Sequence, residues 1–212
     1  MLKQFKKIFN RKNNKKGFSL VEIMIVLASF SILMTASFGI LASSIRSQRY
    51  VLATSQLLDQ TGFSLDYMSR SIRMAKKHLS VSDPIEVACG FASVGDNFNP
   101  ASAQASTSIQ FLKIEVDPDT GIKTKKCIKF FLDSGKILKD TTDAGGTMRD
   151  QISPSSINVT NLKIYVSGGS QTDNFQPRVS ITLEAKPVAN IKPVPTVKLQ
   201  STVSQRDLDI AE

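Results

Sequence analysis

The chain has 212 residues, of which 41% are hydrophobic, and a formal net charge of +9 at pH 7. This length suits one core domain of ordinary size with an appendage. Residues 1–17 hold seven of the basic side chains and no acidic one, which leaves 20 basic and 18 acidic residues in 18–212. The basic excess therefore belongs to the N-terminal tail, and the composition gives little support for nucleic-acid binding by the remainder.

An apolar run follows the basic tail, from Phe18 to Ile45, and Glu22 is its single charged residue. The run is long enough to cross a bilayer as a helix and exceeds the apolar region of an ordinary secretory signal peptide. The positive-inside rule keeps the tail in the cytoplasm and places residues 46–212 on the other side of the membrane. An ionised Glu in hydrocarbon costs roughly 2.5–3.5 kcal/mol, so we expect Glu22 to have a partner.

The junction between tail and apolar run reads KKGFSLVE, residues 15–22. A basic leader, Gly17, Phe18 and a Glu five residues after the glycine resemble the processing site of type IV pilin-like proteins, the class of pilins and type II secretion pseudopilins. The resemblance implies that a prepilin peptidase cuts after Gly17 and that Phe18 is then N-methylated. It also implies that the new amine neutralises Glu22 of a neighbouring subunit, which makes Glu22 an assembly residue; pairing within one chain stays open.

Beyond the membrane segment, apolar and small residues recur at steps of three and four through 51–79, the stripe of an amphipathic helix. We predict one helix over about 18–77, whose second half backs a globular domain. The basic residues 76–78 are favourable near the negative, C-terminal end of the helix macrodipole. Asp83-Pro84 is predicted to end the helix. His78 is predicted to be a surface residue at the end of the helix and not a ligand.

After residue 84 the apolar pattern changes to a period of two, which predicts strands. Residues 117–121 and 133–136 are predicted turns of hairpins, and the polar segments 89–106 and 140–156 are predicted loops. The predicted fold class is α+β, one long helix packed on an antiparallel sheet, as in the pilin-like fold. The predicted strands cover residues 107–116, 124–132, 136–139, 157–166, 178–186 and 196–204.

The two cysteines, Cys89 and Cys127, both follow the apolar run. If that part of the chain lies outside the cytoplasm, a disulfide between them is expected. Two separate buried thiols are the alternative. The lack of a CxxC pair and the single histidine argue against a zinc or redox site.

Other motifs give no catalytic, cofactor-binding or metal-binding residues. The acidic turn 117–121 places Gly121 at position five and no Glu at position twelve, so it favours a plain β-turn over an EF-hand calcium site. Asn158-Val159-Thr160 matches a glycosylation sequon, but it falls inside a predicted strand. Neither a phosphate-binding glycine loop nor a G-x-S-x-G elbow is present, and we predict that the protein is not an enzyme.

These features predict a division into a basic leader (1–17), a transmembrane assembly helix (18–45), its amphipathic continuation (46–80) and a sheet domain (81–212). The resemblance, together with the phrase LDYMSRSIRMAKK, implies a minor pilin or pseudopilin of the J or W type. It implies a bacterial inner-membrane protein that later enters a periplasmic or extracellular filament. Its implied partners are prepilin peptidase, other pilin-like subunits and the inner-membrane assembly machinery. A membrane-anchored binding module or adhesin that never polymerises is the alternative.

Overall fold

A computed structural model describes residues 17–80, 82–91, 93–100, 105–116, 121–169, 175–189 and 192–206. The chain divides into two compact units, Met1–Gln48 and Arg49–Glu212. The described residues form two helices and seven strands. The predicted fold class is confirmed, because a long apolar N-terminal helix is followed by a domain in which a helix packs on antiparallel sheets.

The first helix, α1, is Leu20–Arg73. It ends four residues before the predicted end near residue 77, and Pro84 is not what ends it. The amides of Met74 and Ala75 instead bond to carbonyls three residues earlier, which tightens the last turn. The amide of Lys76 then bonds to Leu112 on the first strand at 2.8 Å, so tertiary pairing draws the chain out of the helix.

Pro84 in fact begins a second, short helix, α2, Pro84–Ala88. Asp83 is its N-cap, and the Asp83 carboxylate accepts a hydrogen bond from the amide of Ile85 at 3.0 Å. A proline in the first turn has no amide to leave unsatisfied, and its fixed φ suits a helix start. The Asp-Pro pair therefore starts a helix here.

Four strands form the first antiparallel sheet in the order β1-β2-β3-β4. The prediction of a loop over 140–156 was wrong, because β3 continues to Asp143 and the whole of β4 lies in that segment. Every residue of β4 is exposed, so this edge strand has no buried face to produce an alternating pattern. The strands are Ser108–Val116 (β1), Lys123–Asp133 (β2), Lys136–Asp143 (β3) and Gly146–Gln151 (β4).

A tight turn joins β2 to β3, as predicted for residues 133–136. Asp133 pairs with Lys136, and the two residues between them, Ser134 and Gly135, have φ angles of 49° and 78°. Two positive φ angles in a two-residue loop are those of a type I′ turn, whose twist matches that of the flanking strands.

The last three strands form a second antiparallel sheet in the order β5-β6-β7, so the domain has two sheets where one was predicted. Its strands are Ile157–Ser167 (β5), Arg178–Pro187 (β6) and Val197–Ser204 (β7). Ile164 of β5 pairs with Ser106, just before β1, and thereby links the two sheets.

The core of this domain lies between the inner faces of the two sheets and the inner face of α1 after residue 53. Alternation along β6 buries every second residue from Val179 to Ala185, and β5 alternates in the same way on either side of an irregularity between Val159 and Asn161. The largest fully buried side chains include Leu57, Met68 and Ile72 of α1 with Phe98, Phe111 and Phe130.

Candidate processing and assembly site

The predicted cleavage site lies in exposed, non-helical chain. Gly17, Phe18 and Ser19 precede α1, and the Phe18 side chain is 76% exposed. A Cβ added at Gly17 would meet no other described atom within 4 Å, and Gly17 does not have a positive φ. Among the described residues, therefore, no contact requires glycine at this position.

Glu22 lies in the first turn of α1. It therefore lies near the positive end of the helix macrodipole. Within the part of the chain that the structure describes, no cation pairs with Glu22. Phe18 and Glu22 line one shallow depression together with Val26 and Leu27.

From Phe18 to Ile45, large apolar side chains lie on every side of the chain and are exposed, and none of the described residues covers them. Of the described helices, α1 alone is long and apolar enough to cross a membrane. Four of its hydroxyl groups each donate a hydrogen bond to a backbone carbonyl about one turn earlier, which lowers the cost of placing them in lipid. These donors are Ser29, Ser31, Thr35 and Ser37, at 2.8–2.9 Å.

The predicted disulfide between Cys89 and Cys127 is confirmed. It ties the end of α2 to the middle of β2, and both cysteines are buried in a small cluster with Leu112. Ile85 and Phe91 pack against this cluster. The disulfide therefore fixes the segment after α1 to the outer face of the first sheet.

The prediction that His78 is a surface residue was wrong. Its side chain is almost completely buried and stacks on Phe91, with the ring centroids 4.9 Å apart. Its Nδ1 atom lies 2.8 Å from a carboxylate oxygen of Glu86, although the pair does not have the geometry of a hydrogen bond. Burial here is possible because α1 ends before His78 and the chain turns back over the sheet.

Glu86 is the centre of this buried cluster, since its side chain is only 1% exposed. One carboxylate oxygen accepts the amides of Leu79 and Ser80 at 2.9 and 2.8 Å, and the other accepts the Lys125 ammonium. Burial opposes ionisation, yet the hydrogen bonds from Lys125 and from these two amides outweigh it and hold the pKa of Glu86 below its usual value. Glu86 thus joins α2, the segment after α1 and β2.

Three lysines of the β1–β2 hairpin, Lys113, Lys125 and Lys126, form ion pairs with acidic side chains. Glu115 accepts hydrogen bonds from Lys113 and Lys126, which lower its pKa to about 2. The Lys125 ammonium forms ion pairs with both Asp83 and Glu86.

The other motifs lie as follows. Residues 117–120 of the acidic turn are outside the described residues. Asn158 of the sequon lies in β5 and its side-chain oxygen reaches the α-carbon region of Gly135 in the β2–β3 turn. In the described part of the chain no three His, Cys, Asp or Glu side chains are arranged to hold a metal ion.

Comparison with protein families finds a match to the prokaryotic N-terminal methylation motif over residues 12–38. The match includes Gly17, Phe18 and Glu22 and supports the type IV pilin-like class, whose members are structural subunits rather than enzymes. The motif and the apolar helix after it fit a membrane-anchored pilin-like protein. No curated protein and no solved structure matches the chain.

Sequence reasoning missed the cluster around Glu86. One signal was present: Asp83, Pro84 and Glu86 have the spacing of an N-cap, a first-turn proline and a third-position acid that together start a helix. The burial of Glu86 and its contact with Lys125, however, join segments 39 residues apart along the chain. No local pattern reports such a contact.

Proposed function

We propose that this protein is a minor pilin or pseudopilin, a structural subunit of a type IV pilus or of a type II secretion-like filament. The observation that supports the proposal most is the methylation motif at the start of an apolar helix that none of the described residues covers. Prepilin peptidase would cut after Gly17 and Phe18 would be N-methylated. The leader would stay cytoplasmic and the sheet domain would lie outside the inner membrane.

Assembly would bring the uncovered helices of several subunits together, with the assembly machinery of the inner membrane as a further partner. In that setting Glu22 is a carboxylate in an apolar bundle, and it needs a counter-charge. Cleavage creates one, because it frees an amine at Phe18 about one turn away. Pairing with the amine of a neighbouring subunit would add a subunit only in the register that brings the two charges together.

The first experiment is the intact mass and N-terminal residue of the protein recovered from its native membrane. We expect a chain that begins at Phe18 and is heavier than the unmodified fragment by one methyl group. A Gly17→Val variant, which the fold tolerates because nothing surrounds that position, should keep the leader. A wild-type chain that still begins at Met1, in cells with active prepilin peptidase, contradicts the proposal.

The second experiment concerns Glu22. We expect Glu22→Ala to insert in the membrane and to be cleaved normally but to be absent from sheared filament fractions. Ser31→Ala is the matched control, because it also removes a polar group from α1, but one already bonded to its own backbone. Normal assembly of Glu22→Ala contradicts the role of Glu22. Absence of the wild-type chain itself from every filament fraction favours the non-polymerising anchored module.

A further inference from the structure

Among the described residues, nothing pairs with the outer edge of β4. This strand is the last of its sheet, and all six of its residues are exposed. The register of β3 with β4 continues to Ile152, whose amide bonds to the carbonyl of Ile137 at 2.9 Å. Because the hydrogen bonds of an antiparallel pair alternate, the even-numbered residues of β4 bond to β3. The amides and carbonyls of Thr147, Arg149 and Gln151 therefore point outward, where one more strand can pair with them.

One face of this edge carries a row of alternating charges. Lys129 of β2, Asp140 of β3 and Arg149 of β4 occupy directly opposed positions across the three strands. The Arg149 guanidinium donates two hydrogen bonds to the Asp140 carboxylate, at 2.7 and 2.8 Å. The row thus ends in a cation whose side chain is 59% exposed. An added strand continues the alternation when it places an acidic residue opposite Arg149.

The other face of the edge carries an acidic and an apolar residue. Asp150 is exposed, and a carboxylate oxygen of Asp150 lies 3.7 Å from the Lys139 ammonium. Met148 is 68% exposed. An antiparallel strand matches this edge when a cation lies opposite Asp150, an acid opposite Arg149 and an apolar residue opposite Met148. Along the added strand these residues follow one another in the order cation, acid, apolar residue.

That order occurs once in the 212 residues, at Arg206-Asp207-Leu208. The structure describes this part of the chain as far as Arg206, whose side chain is exposed. The Arg206 amide bonds to the carbonyl of Arg73 at 2.9 Å. In a strand that places Arg206 opposite Asp150, the Arg206 amide points away from β4. The bond to Arg73 and the added pairing are therefore compatible.

Within one chain this pairing is out of reach. Arg206 is held at the end of α1, and the segment directly after α1 pairs with β1 through Lys76 and Leu112. The strands β1 and β4 are the two edges of the first sheet, separated by three strand spacings of about 4.8 Å each. Asp207 lies only about 3.8 Å along the chain from Arg206, so it does not reach the far edge of the sheet. The added strand has to come from another molecule.

We propose that residues 206–209 of a second copy of the chain add to the outer edge of β4 as an antiparallel strand. Asp207 then exchanges backbone hydrogen bonds with Arg149, and the two side chains form an ion pair. Leu208 covers the exposed side chain of Met148. Backbone bonds hold the strand, and the side-chain pattern fixes its register. The contact goes beyond the proposed function, because it needs neither leader cleavage nor the apolar helix.

The test mixes two full-length variants in detergent, Met148→Cys and Leu208→Cys, of which one carries an affinity tag. Directly opposed residues that share no hydrogen bonds have Cα atoms about 4.5 Å apart, a distance that a disulfide bridges. Cys89 and Cys127 are already joined to each other and do not compete. We expect mild oxidation to give a mixed dimer that a reductant removes.

Three further variants test the register and the backbone pairing. Ile210→Cys puts the thiol on the same face as position 208 but roughly 7–8 Å from position 148, so it should give little or no mixed dimer. Thr147→Pro, added to Met148→Cys, removes an outward amide that β3 does not use and should abolish most of the dimer. Thr147→Val is its matched control, because it also loses the hydroxyl contact with Thr142 but keeps the amide, and it should leave the dimer unchanged.

Three results would overturn the proposal: no mixed dimer from the 148/208 pair, an equal yield from the 148/210 pair, or a dimer that Thr147→Pro leaves unchanged. A fourth comes from a chain that carries both Met148→Cys and Leu208→Cys. It should form reductant-sensitive multimers, and a bridge inside single chains instead would overturn the role of a second copy. Each of these failures leaves the proposed function standing, because leader cleavage and methylation are measured separately by the mature mass.

Discussion

At the scale of single residues, Glu86 and Glu115 both pair with lysine but differ in burial. Each carboxylate accepts hydrogen bonds from lysine, but Glu86 is almost fully buried while 41% of the Glu115 side chain is exposed. Solvent screens an exposed pair, whereas a buried one that loses a member leaves a charge without compensation. The two residues therefore form a natural comparison.

We expect Glu86→Ala to lower the free energy of unfolding by about 3 kcal/mol, because Lys125 and two partly buried amides lose their acceptor. Glu115→Ala should cost less than about 1 kcal/mol. Denaturant titration of the two variants in detergent, with the sheet domain monitored by circular dichroism, measures both. Equal costs would show that burial of Glu86 does not decide its contribution.

The carboxyl groups also set the dependence of stability on pH. The pKa values of Asp83, Glu86 and Asp140 are lowered by their cationic partners in spite of burial, and that of Glu115 falls from 4.5 to about 2. The unfolded chain therefore binds protons at a higher pH than the folded chain does. The stabilisation is present above the unfolded pKa and is lost as the pH falls through the folded values.

We accordingly expect the melting temperature to be nearly constant from pH 7 to about 5 and to fall steeply from there to about pH 2. Thermal melts across this range measure it. Glu115→Gln should flatten the lower part of the fall, since its carboxyl has the pKa of about 2. An unchanged melting temperature at pH 3 would contradict the lowered pKa values.

At the scale of elements, the β2–β3 turn depends on Gly135. It has a φ of +78°, and a Cβ there would lie 1.9 Å from the side-chain oxygen of Asn158. Gly121 has a similar φ of +68°, but a Cβ there would meet no described atom within 4 Å. Both glycines avoid backbone strain, and only Gly135 also makes room for a neighbour.

We expect Gly121→Ala to cost about 1 kcal/mol through backbone strain alone. Gly135→Ala should cost clearly more, because Asn158 must also move. Combining Gly135→Ala with Asn158→Ser should restore the stability that Gly135→Ala loses beyond the cost of backbone strain. Thermal melts of wild type, Gly135→Ala, Asn158→Ser and the double variant measure the coupling between the two positions. If Gly121→Ala and Gly135→Ala have the same melting temperature, the contact with Asn158 contributes nothing.

At the scale of the whole molecule, the disulfide acts mainly on the unfolded chain. Cys89 and Cys127 are 38 residues apart, and closing a loop of this size removes unfolded-state entropy equivalent to roughly 4 kcal/mol. We expect the double variant Cys89→Ala/Cys127→Ala to lose about 2–4 kcal/mol of stability in denaturant titrations. Wild type treated with reductant is the control and should behave like the variant; an unchanged midpoint in both would contradict this account.

The sequence by itself determined the features whose cause is local. No tertiary contact is needed to recognise three of them: the end of the basic tail at Gly17, the unbroken apolar run after it, and the position of Glu22 in that run. The same is true of the strands with one buried face, because their sequences alternate between apolar and polar residues. The disulfide could be anticipated from the expected location of the domain outside the cytoplasm and from the presence of only two cysteines in the chain.

Only the tertiary structure decided the features that depend on distant partners. The edge strand β4 exposes both faces, so no periodicity marks it, and hydrogen bonding to β3 alone makes it a strand. The end of α1 at Arg73 is decided by pairing of Lys76 with Leu112, and the burial of His78 and Glu86 by Phe91 and Lys125. A buried charge is stable only where its partner is supplied, and that partner comes from another part of the chain.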